Sequence, residues 1–423
     1  MAQTEKRKLF YGWVIVIQGF LLMFINGGGV FHAFGVFFPE MMADLGWLRG
    51  IGSVAFSIMI LMTGLMAAPV GLLMTRIGIK KVMVAGNVIM IAALVLMSMV
   101  TEAWQMYLAY GILAGTGIVS SGFIPVVTLA NNWFIKRRSL AIGICLAGVG
   151  VGTLVLAPVN RYLIDLLGWR QAWLALATID FFFGFLPAAI LVRAKPEDMG
   201  QMPDGQVMIE DELEEDTVNQ VNSTPVDWET NAALKTHVIW FIVAMMTANL
   251  FVGSMLSAHQ VVYLQDIGIP PMVAANAIGM LIGVSTLGRL AGGALGDRFK
   301  PRYVAAIACG LQTIALIILM NAKTLGLIYL YVVMFGLPYG MIIVLFPAMI
   351  GAYFGRRNYS TIFGLSNTVV QFIGATSATF AGFVFDATGS YLIPLTTAAV
   401  FCAISGTTAF FARPPKPPHQ NTG

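Results

Sequence analysis

The stretch Ile282-Gly-Val-Ser-Thr-Leu-Gly-Arg-Leu-Ala-Gly-Gly-Ala-Leu-Gly-Asp-Arg298 combines an apolar, glycine-rich helix with one interior arginine, Arg289. Its composition is that of a membrane-spanning helix, in which a cation costs several kcal/mol unless it faces a partner or a water-filled cavity. Arg289 lies eight residues before Asp297, about 12 Å along a helix, which is too deep for the side chain to reach the interface comfortably. We therefore predict that Arg289 faces a cavity and binds an anion there. The alternative is a structural arginine that bonds helix carbonyls.

Small residues share the helical face of Arg289. Ser285, Gly292 and Gly296 stand four, three and seven residues away, so they lie on the same side of the helix. We expect them to leave room beside the guanidinium for the anion, with Ser285 in contact with it.

The composition of the whole chain points to an all-α, polytopic membrane protein. Hydrophobic residues make up 58% of the 423 residues and charged residues only 10%, which excludes an ordinary soluble globule. The apolar runs are continuous rather than alternating, so a membrane β-barrel is excluded. Cys145, Cys309 and Cys402 all fall within apolar runs and imply neither a disulfide framework nor a metal site. We expect no cofactor, no nucleic-acid partner and no enzymatic activity, because neither a nucleotide-binding loop nor a nucleophile with its base is present.

Twelve apolar runs predict twelve transmembrane helices in two sets of six. The predicted spans are 11–39, 50–75, 81–101, 103–133, 138–166, 169–193, 236–265, 271–296, 302–322, 324–353, 358–386 and 390–412. The predicted domains are an N-terminal six-helix bundle (1–193), an acidic cytoplasmic linker (194–234), a C-terminal six-helix bundle (235–413) and a cytoplasmic tail (414–423). The linker carries an acidic run at 210–216 and is predicted to be a solvent-exposed connection between the two bundles.

The basic residues predict the orientation in the bilayer. With both termini in the cytoplasm, 19 of the 24 Lys and Arg residues fall on the cytoplasmic side and four on the outer side. Such an asymmetry is typical of multi-pass proteins of the plasma (cytoplasmic) membrane. It also explains the net charge of +4 without a nucleic-acid partner.

The two halves repeat each other. Gly71 to Arg76, followed by Lys80, precedes the third span, and Gly293, Asp297 and Arg298, followed by Lys300, precede the ninth, at an offset of 222 residues. A second pair, Trp133-Phe134 with Arg137-Arg138 and Tyr353-Phe354 with Arg356-Arg357, repeats at nearly the same offset. Two pairs at one offset indicate pseudo-symmetric six-helix units with the same orientation.

With these motifs the chain resembles the major facilitator superfamily, over all of its length except the linker. Within it, the chain is similar to the monocarboxylate transporter branch and its bacterial relatives. The motifs that carry this likeness are Tyr11-Gly12-Trp13, Phe34-Gly35-Val36-Phe37-Phe38, Gly46-Trp47, Trp133-Phe134, Gly168-Trp169-Arg170, His259-x-x-x-Tyr263 and Gly288-Arg289. The loop signature Gly-x-x-x-Asp-Arg is intact at Gly293, Asp297 and Arg298. In the first half Gly71 and Arg76 remain, and Thr75 stands at the acidic position.

The resemblance implies a secondary transporter that works by rocker-switch alternating access. We expect it to carry a small organic monocarboxylate, similar to lactate or pyruvate, together with a proton. One buried arginine matches one negative charge, and the predicted eleventh span contains no Lys or Arg for a dianion. Many animal members carry an acid four residues before this arginine where this chain has Ser285, so exchange of organic anions, as in oxalate/formate exchangers, stays open. A non-transporting membrane receptor is a further alternative.

The remaining candidates come from polar and aromatic residues inside predicted spans. Asn367 and Gln371 lie one turn apart and are expected to face the cavity; Asn26 adds a polar group in the first span, and Tyr331 and Phe335 form either a wall for the substrate tail or ordinary aromatic packing. His259 is predicted to be an outer-gate or proton-handling group, because histidine titrates near neutral pH, or else a histidine bonded between helices. Asp180 is either a proton site or a structural hydrogen-bond partner. His32 in the first span is a weaker candidate for the same role, because the sequence does not fix its helical face.

Overall fold

The computed structural model describes residues 10–134, 138–202, 228–355 and 358–415. In this part of the chain eleven helices are long and apolar enough to cross a membrane, and one bent pair makes a twelfth span. Spans 1 to 12 are Gly12–Leu45, Arg49–Leu65 with Ala67–Ile77, Ile79–Ser98, Ala103–Trp133, Arg138–Leu167, Trp169–Leu191, His237–Asp266, Pro271–Arg298, Pro301–Met320, Leu325–Phe354, Tyr359–Thr388 and Leu392–Phe411. The described residues contain no strand, and the predicted all-α membrane architecture is confirmed.

Glycine lets the spans approach closely. A Cβ on Gly28 of span 1 would lie 2.1 Å from the backbone of Gly152 in span 5, and one on Gly288 would lie 2.1 Å from the carbonyl oxygen of Leu337 in span 10. Close backbone approach is how helices gain packing energy in a medium as apolar as their own side chains. The glycines therefore fix which spans are neighbours.

Span 1 is not a regular α-helix. Residues Phe24–Phe31, which include Gly27, Gly28 and Gly29, form a π-helical segment between the α-helices Gly12–Met23 and Phe34–Leu45. A π segment widens the turn and rotates the residues that follow it around the helix axis. It ends at His32, which is directed toward the second half of the molecule.

The main contacts between the halves join spans 2 and 11 and spans 5 and 8, which run antiparallel, and spans 1 and 7, which run parallel. We call the membrane face that holds residues 10 and 415 the terminal face, and the opposite one the Asp266 face. In span 2 the helix Arg49–Leu65 packs on span 11, whereas Ala67–Ile77 bends away by 44° and packs on its own half. At the terminal ends of these spans, a Cβ on Gly71 or on Gly364 would meet nothing within 4 Å.

At the Asp266 face the halves are tied together around Arg49. Its guanidinium pairs with both oxygens of Asp266, with 2.7 Å from Nη2 to Oδ1, and lies 3.8 Å from the centre of the Phe385 ring. The backbone N–H groups of Arg49 and Gly50 donate to the Asp386 carboxylate at 3.0 and 2.6 Å. We call these four residues (Arg49, Gly50, Asp266 and Asp386) the Arg49 latch. It closes spans 2, 7 and 11 at this face.

The predicted linker is described only at its two ends. The acidic run at 210–216 lies outside the described residues. Near the far end Trp228 is buried, donates its backbone N–H to the Phe354 oxygen at 3.1 Å, and packs edge-on against the Phe354 ring. The last residues before span 7 are therefore packed on the second half.

Candidate functional site

Arg289 lies at the contact between spans 8 and 5, hence between the two halves. Its side chain is half-buried, and Nη1 donates to the carbonyl oxygen of Leu146 at 3.4 Å. No described carboxylate lies within salt-bridge distance of the guanidinium, and its Nε has no hydrogen-bond partner among the described residues. The Tyr339 hydroxyl acts on it electrostatically from span 10. A buried guanidinium with one long hydrogen bond has donors left for an anion.

The small residues around Arg289 pack against span 10. A Cβ on Gly292 would lie 2.7 Å from Met341, and one on Gly340 would lie 1.9 Å from the Ser285 oxygen. Ser285 is fully buried, and its hydroxyl donates to the Ile282 oxygen of its own helix at 2.7 Å. The expectation that Ser285 contacts the anion is corrected, because its one hydroxyl donor is used within the helix and the side chain has no exposed surface.

His32 is the candidate to which sequence reasoning gave too little weight. It is buried, its Nδ1 lies 3.1 Å from the hydroxyl of Ser257 in span 7, and the Arg289 guanidinium acts on it electrostatically. It therefore lies in span 1, bonded across the interface, near the candidate anion site. In the sequence, the one feature that could have indicated His32 is its position after three glycines. A pattern of 3.6 residues per turn does not reveal the π-helical segment that sets the direction of this side chain.

The other polar candidates separate into two groups. Asn26 is buried within the first half, where its Nδ2 donates to the Ser121 hydroxyl at 3.0 Å. Asn367 and Gln371 are half-exposed on span 11, and the Gln371 side chain lies next to Gly64 of span 2, 3.5 Å from the place of its Cβ. Gln371 therefore lies at the interface between the halves, whereas Asn26 is bonded inside the first half.

The two aromatic candidates are enclosed in the second half. Tyr331 and Phe335 are both fully buried, and the Tyr331 hydroxyl donates to Gln260 Oε1 at 2.9 Å. This geometry corrects the expectation of a wall facing the substrate and matches the alternative of aromatic packing. Tyr339, one turn further along span 10, is the aromatic residue that interacts with Arg289.

His259 is bonded between helices. Its Nε2 lies 2.8 Å from the Ala378 oxygen and its Nδ1 lies 2.8 Å from the Tyr391 hydroxyl. Because a carbonyl can only accept, Nε2 carries a proton and donates to Ala378. His259 and Tyr391 line a cavity of about 10 Å³ with six other residues of the second half, which is room for one water molecule at most. This cavity is too small for a typical ligand.

The loop motif and Asp180 lie away from Arg289. Arg76 and Arg298 are exposed near the terminal face, Gly71 and Gly293 have open space where a Cβ would stand, and the side chain of Asp297 falls outside the described residues. Asp180 is fully buried between spans 3 and 6 of the first half. Within the described ranges, no three His, Cys, Asp or Glu side chains are placed to hold a metal ion.

Comparison with known proteins gives a consistent result. Residues 19–379 and 284–423 match the family described as Major Facilitator Superfamily. The chain is 26% identical to monocarboxylate transporter 13 of Rattus norvegicus, over 94% of this chain and 88% of that protein. It is 28% identical to monocarboxylate transporter 12 of Xenopus laevis, over 95% and 90%.

Two further similarities point the same way. An MFS-type transporter of Gibberella zeae is 26% identical over 89% of this chain and 80% of its own length. Among solved structures, a bacterial homolog to the human lysosomal transporter Spinster, in an inward-facing and unoccupied conformation, superimposes with a TM-score of 0.72 at 15% identity, covering 96% of this chain and 97% of that one. At that identity the superposition speaks for the fold alone.

Proposed function

This chain belongs to the major facilitator superfamily of membrane transporters, which are not enzymes, and we propose that it carries a small organic monocarboxylate together with a proton. The single observation that supports the substrate class is the Arg289 guanidinium, half-buried between the halves without a carboxylate partner in the described chain. A guanidinium binds a carboxylate through two parallel charge-assisted hydrogen bonds. One cation at the site matches one negative charge.

His32 supplies a physical route for proton coupling. A positive charge on the His32 ring is unfavourable while the guanidinium is unoccupied, first because the ring is buried and second because Arg289 is itself charged. A bound carboxylate neutralises Arg289 and so favours protonation of His32. By linkage, the proton favours carboxylate binding to the same extent. In this proposal His32 takes the coupling role that the sequence suggested for His259 or Asp180.

The transport cycle follows from where the halves touch. In our proposal the bundles 1–193 and 235–413 rock about a substrate bound at Arg289. In the same proposal Asn367 and Gln371 contribute polar groups from span 11 to the transport path, and the Gly71–Arg76 and Gly293–Arg298 loops change partners as the halves move. The Arg49 latch closes one face while spans 2 and 11 part toward the other. We place the terminal face in the cytoplasm and the protein in the plasma membrane, on the distribution of its basic residues.

Uptake into proteoliposomes tests this proposal. Unlabelled vesicles with an inward proton gradient and no internal anion should accumulate a labelled short monocarboxylate such as lactate. Arg289→Lys keeps the charge and loses the paired donors, so we expect uptake to fall about tenfold to a hundredfold, since a charged hydrogen bond contributes about 1.5–3 kcal/mol. Arg170→Lys, at an exposed arginine that pairs with Asp44 inside the first half, is the matched control and should transport normally.

The proton is tested separately with His32→Gln, which keeps a hydrogen-bonding partner for Ser257 but does not titrate. We expect this variant to lose gradient-driven uptake and to retain exchange of labelled for unlabelled carboxylate. Full uptake by Arg289→Lys would refute the substrate site. If uptake by the parent protein requires an internal anion whatever the proton gradient, the protein is an anion exchanger and the symport proposal is refuted.

A further inference from the structure

A second polar cluster, which the proposed transport cycle does not use, lies inside the first half. Asp180 of span 6 and Asn87 of span 3 both have no exposed surface. Gly184 lies one turn after Asp180, within the π-helical segment Phe181–Phe185. We call these three residues the Asp180 cluster.

Three oxygen atoms of this cluster have no donor among the described residues, and two of them lie beside Gly184. Neither oxygen of the Asp180 carboxyl group nor Asn87 Oδ1 has a hydrogen-bond partner in the described residues. Asp180 Oδ1 lies 2.2 Å, and Asn87 Oδ1 2.9 Å, from the point where a Cβ on Gly184 would stand. The donor atoms of Asn87 are turned away, with Nδ2 bonded to the Met83 oxygen at 2.8 Å. The cluster therefore consists of acceptors only.

No positive charge compensates the carboxyl group. Spans 1, 3 and 5 pack around this part of span 6, and no charged side chain in the described chain acts electrostatically on Asp180. The nearest cations along these spans, Lys80 and Lys81 on span 3 and Arg161 on span 5, stand near the two membrane faces, and Arg161 is paired with Glu40 and Asp165. An ionised carboxylate here would be buried, unpaired and beside another acceptor, which is among the most costly arrangements in a protein interior.

We propose that Asp180 binds a proton and donates it in a hydrogen bond to Asn87 Oδ1. When the Asp180 carboxyl group is protonated, it becomes a hydrogen-bond donor to the acceptor Asn87 Oδ1. The same proton removes the uncompensated negative charge. Gly184 is the residue that makes this contact possible, because any larger side chain would occupy the space of the carboxyl oxygen.

This bound proton is not the transported one. The contacts of the cluster lie within the first half, between spans that do not touch the second half around Asp180, so rocking of the halves does not change the exposure of Asp180. We infer a permanently neutral acid that fastens span 6 to span 3. The inference concerns a different residue from the symport proposal and stands or falls separately.

Infrared difference spectroscopy on the full-length protein tests this proposal. The parent protein at neutral pH should show the carbonyl stretch of a protonated carboxylic acid, and Asp180→Asn should lack it. Asp386→Asn is the control, since Asp386 accepts two backbone N–H groups as an anion and its loss should leave the band in place. Asn87→Leu removes the acceptor and should shift the band to higher frequency, which assigns the proton even if Asp180→Asn does not fold.

Two functional outcomes complete the test. Asp180→Asn places an amide donor where the acid proton was, so its uptake should keep the parental dependence on the proton gradient. Its unfolding temperature should lie within about 1 °C of the parent's, the shift expected for roughly 1 kcal/mol in a chain of this length. Loss of gradient-driven uptake with retained exchange would overturn the permanent proton and make Asp180 the coupling site. If the parent protein lacks the carbonyl band, proton binding is refuted. It is also refuted if sodium chloride, compared with choline chloride, raises the unfolding temperature of the parent but not of Asp180→Asn.

Discussion

The Arg49 latch predicts how firmly the protein is closed at the Asp266 face. Replacing both acceptors, in the variant Asp266→Ala/Asp386→Ala, removes the paired guanidinium contact and the acceptor of two N–H groups at the start of span 2. Both contacts cross between the halves. The variant should therefore populate the state open at this face more than the parent does.

The size of the expected shift between closed and open protein follows from the solvent exposure of the latch side chains. The side chains of Arg49 and Asp266 are 18% and 34% exposed, so the ion pair contributes about 1 kcal/mol, near the upper end for partly exposed pairs. Acceptance of two N–H groups at a helix start contributes about 1 kcal/mol. Together they predict a shift of about 2 kcal/mol, which corresponds to a roughly 30-fold change in the ratio of open to closed protein.

A cysteine placed beneath the latch measures this ratio. Ser53 is fully buried and faces Gly382 across the interface, and Cys145, Cys309 and Cys402 are all buried, so Ser53→Cys gives a reporter with low background. Its modification by a thiol reagent at the Asp266 face should accelerate about 30-fold in the double variant, if opening is rapid and rare. Asp44→Ala, which breaks the Arg170 pair at the same face within one half, should leave the rate unchanged. An unchanged rate in the double variant, or equal acceleration by Asp44→Ala, would refute the latch.

Three further predictions concern packing and burial. Gly340→Ala places a Cβ 1.9 Å from the Ser285 oxygen, so it should force spans 8 and 10 apart and lower the unfolding temperature strongly. The control Gly310→Ala places a Cβ with nothing within 4 Å and should be neutral or slightly stabilising. Tyr331→Phe leaves Gln260 Oε1 buried without its donor and should cost about 1–3 kcal/mol in unfolding experiments while the KM for carboxylate stays parental; a changed KM would return Tyr331 to the substrate site. Gln371→Leu, at the contact of spans 2 and 11, should change uptake without a fall in unfolding temperature, and a purely thermal effect would remove it from the transport path.

The fold was predictable because its signals are local and repeated. The apolar runs set the number of spans, and the Gly71 and Gly293 loops at one offset set the pairing of halves. Arg289 was recognisable as a candidate from its depth in the sequence, since a cation that far inside a membrane helix is costly unless a partner or water faces it.

The rest depended on contacts that helical periodicity does not encode. Ser285 shares a face with Arg289, yet that face is divided between span 5 and span 10, and the sequence does not say which neighbour each residue meets. Tyr331 was placed on the right span but inside the second half. The approach of Asn87 to Asp180 joins residues 93 positions apart, and neither residue alone indicates it.

The π-helical segment Phe24–Phe31 changes the direction in which the later residues of the first transmembrane segment point, compared with a regular α-helix. A wheel diagram drawn at 100° per residue assigns the wrong azimuth to every position that follows it, from His32 onward. A homologue that lacks one residue among the three glycines can form a regular α-helix here and still present the aligned residue of His32 to the interface, because a π turn accommodates an extra residue. An alignment gap of a single position at this point is therefore compatible with the same side chains facing the second half.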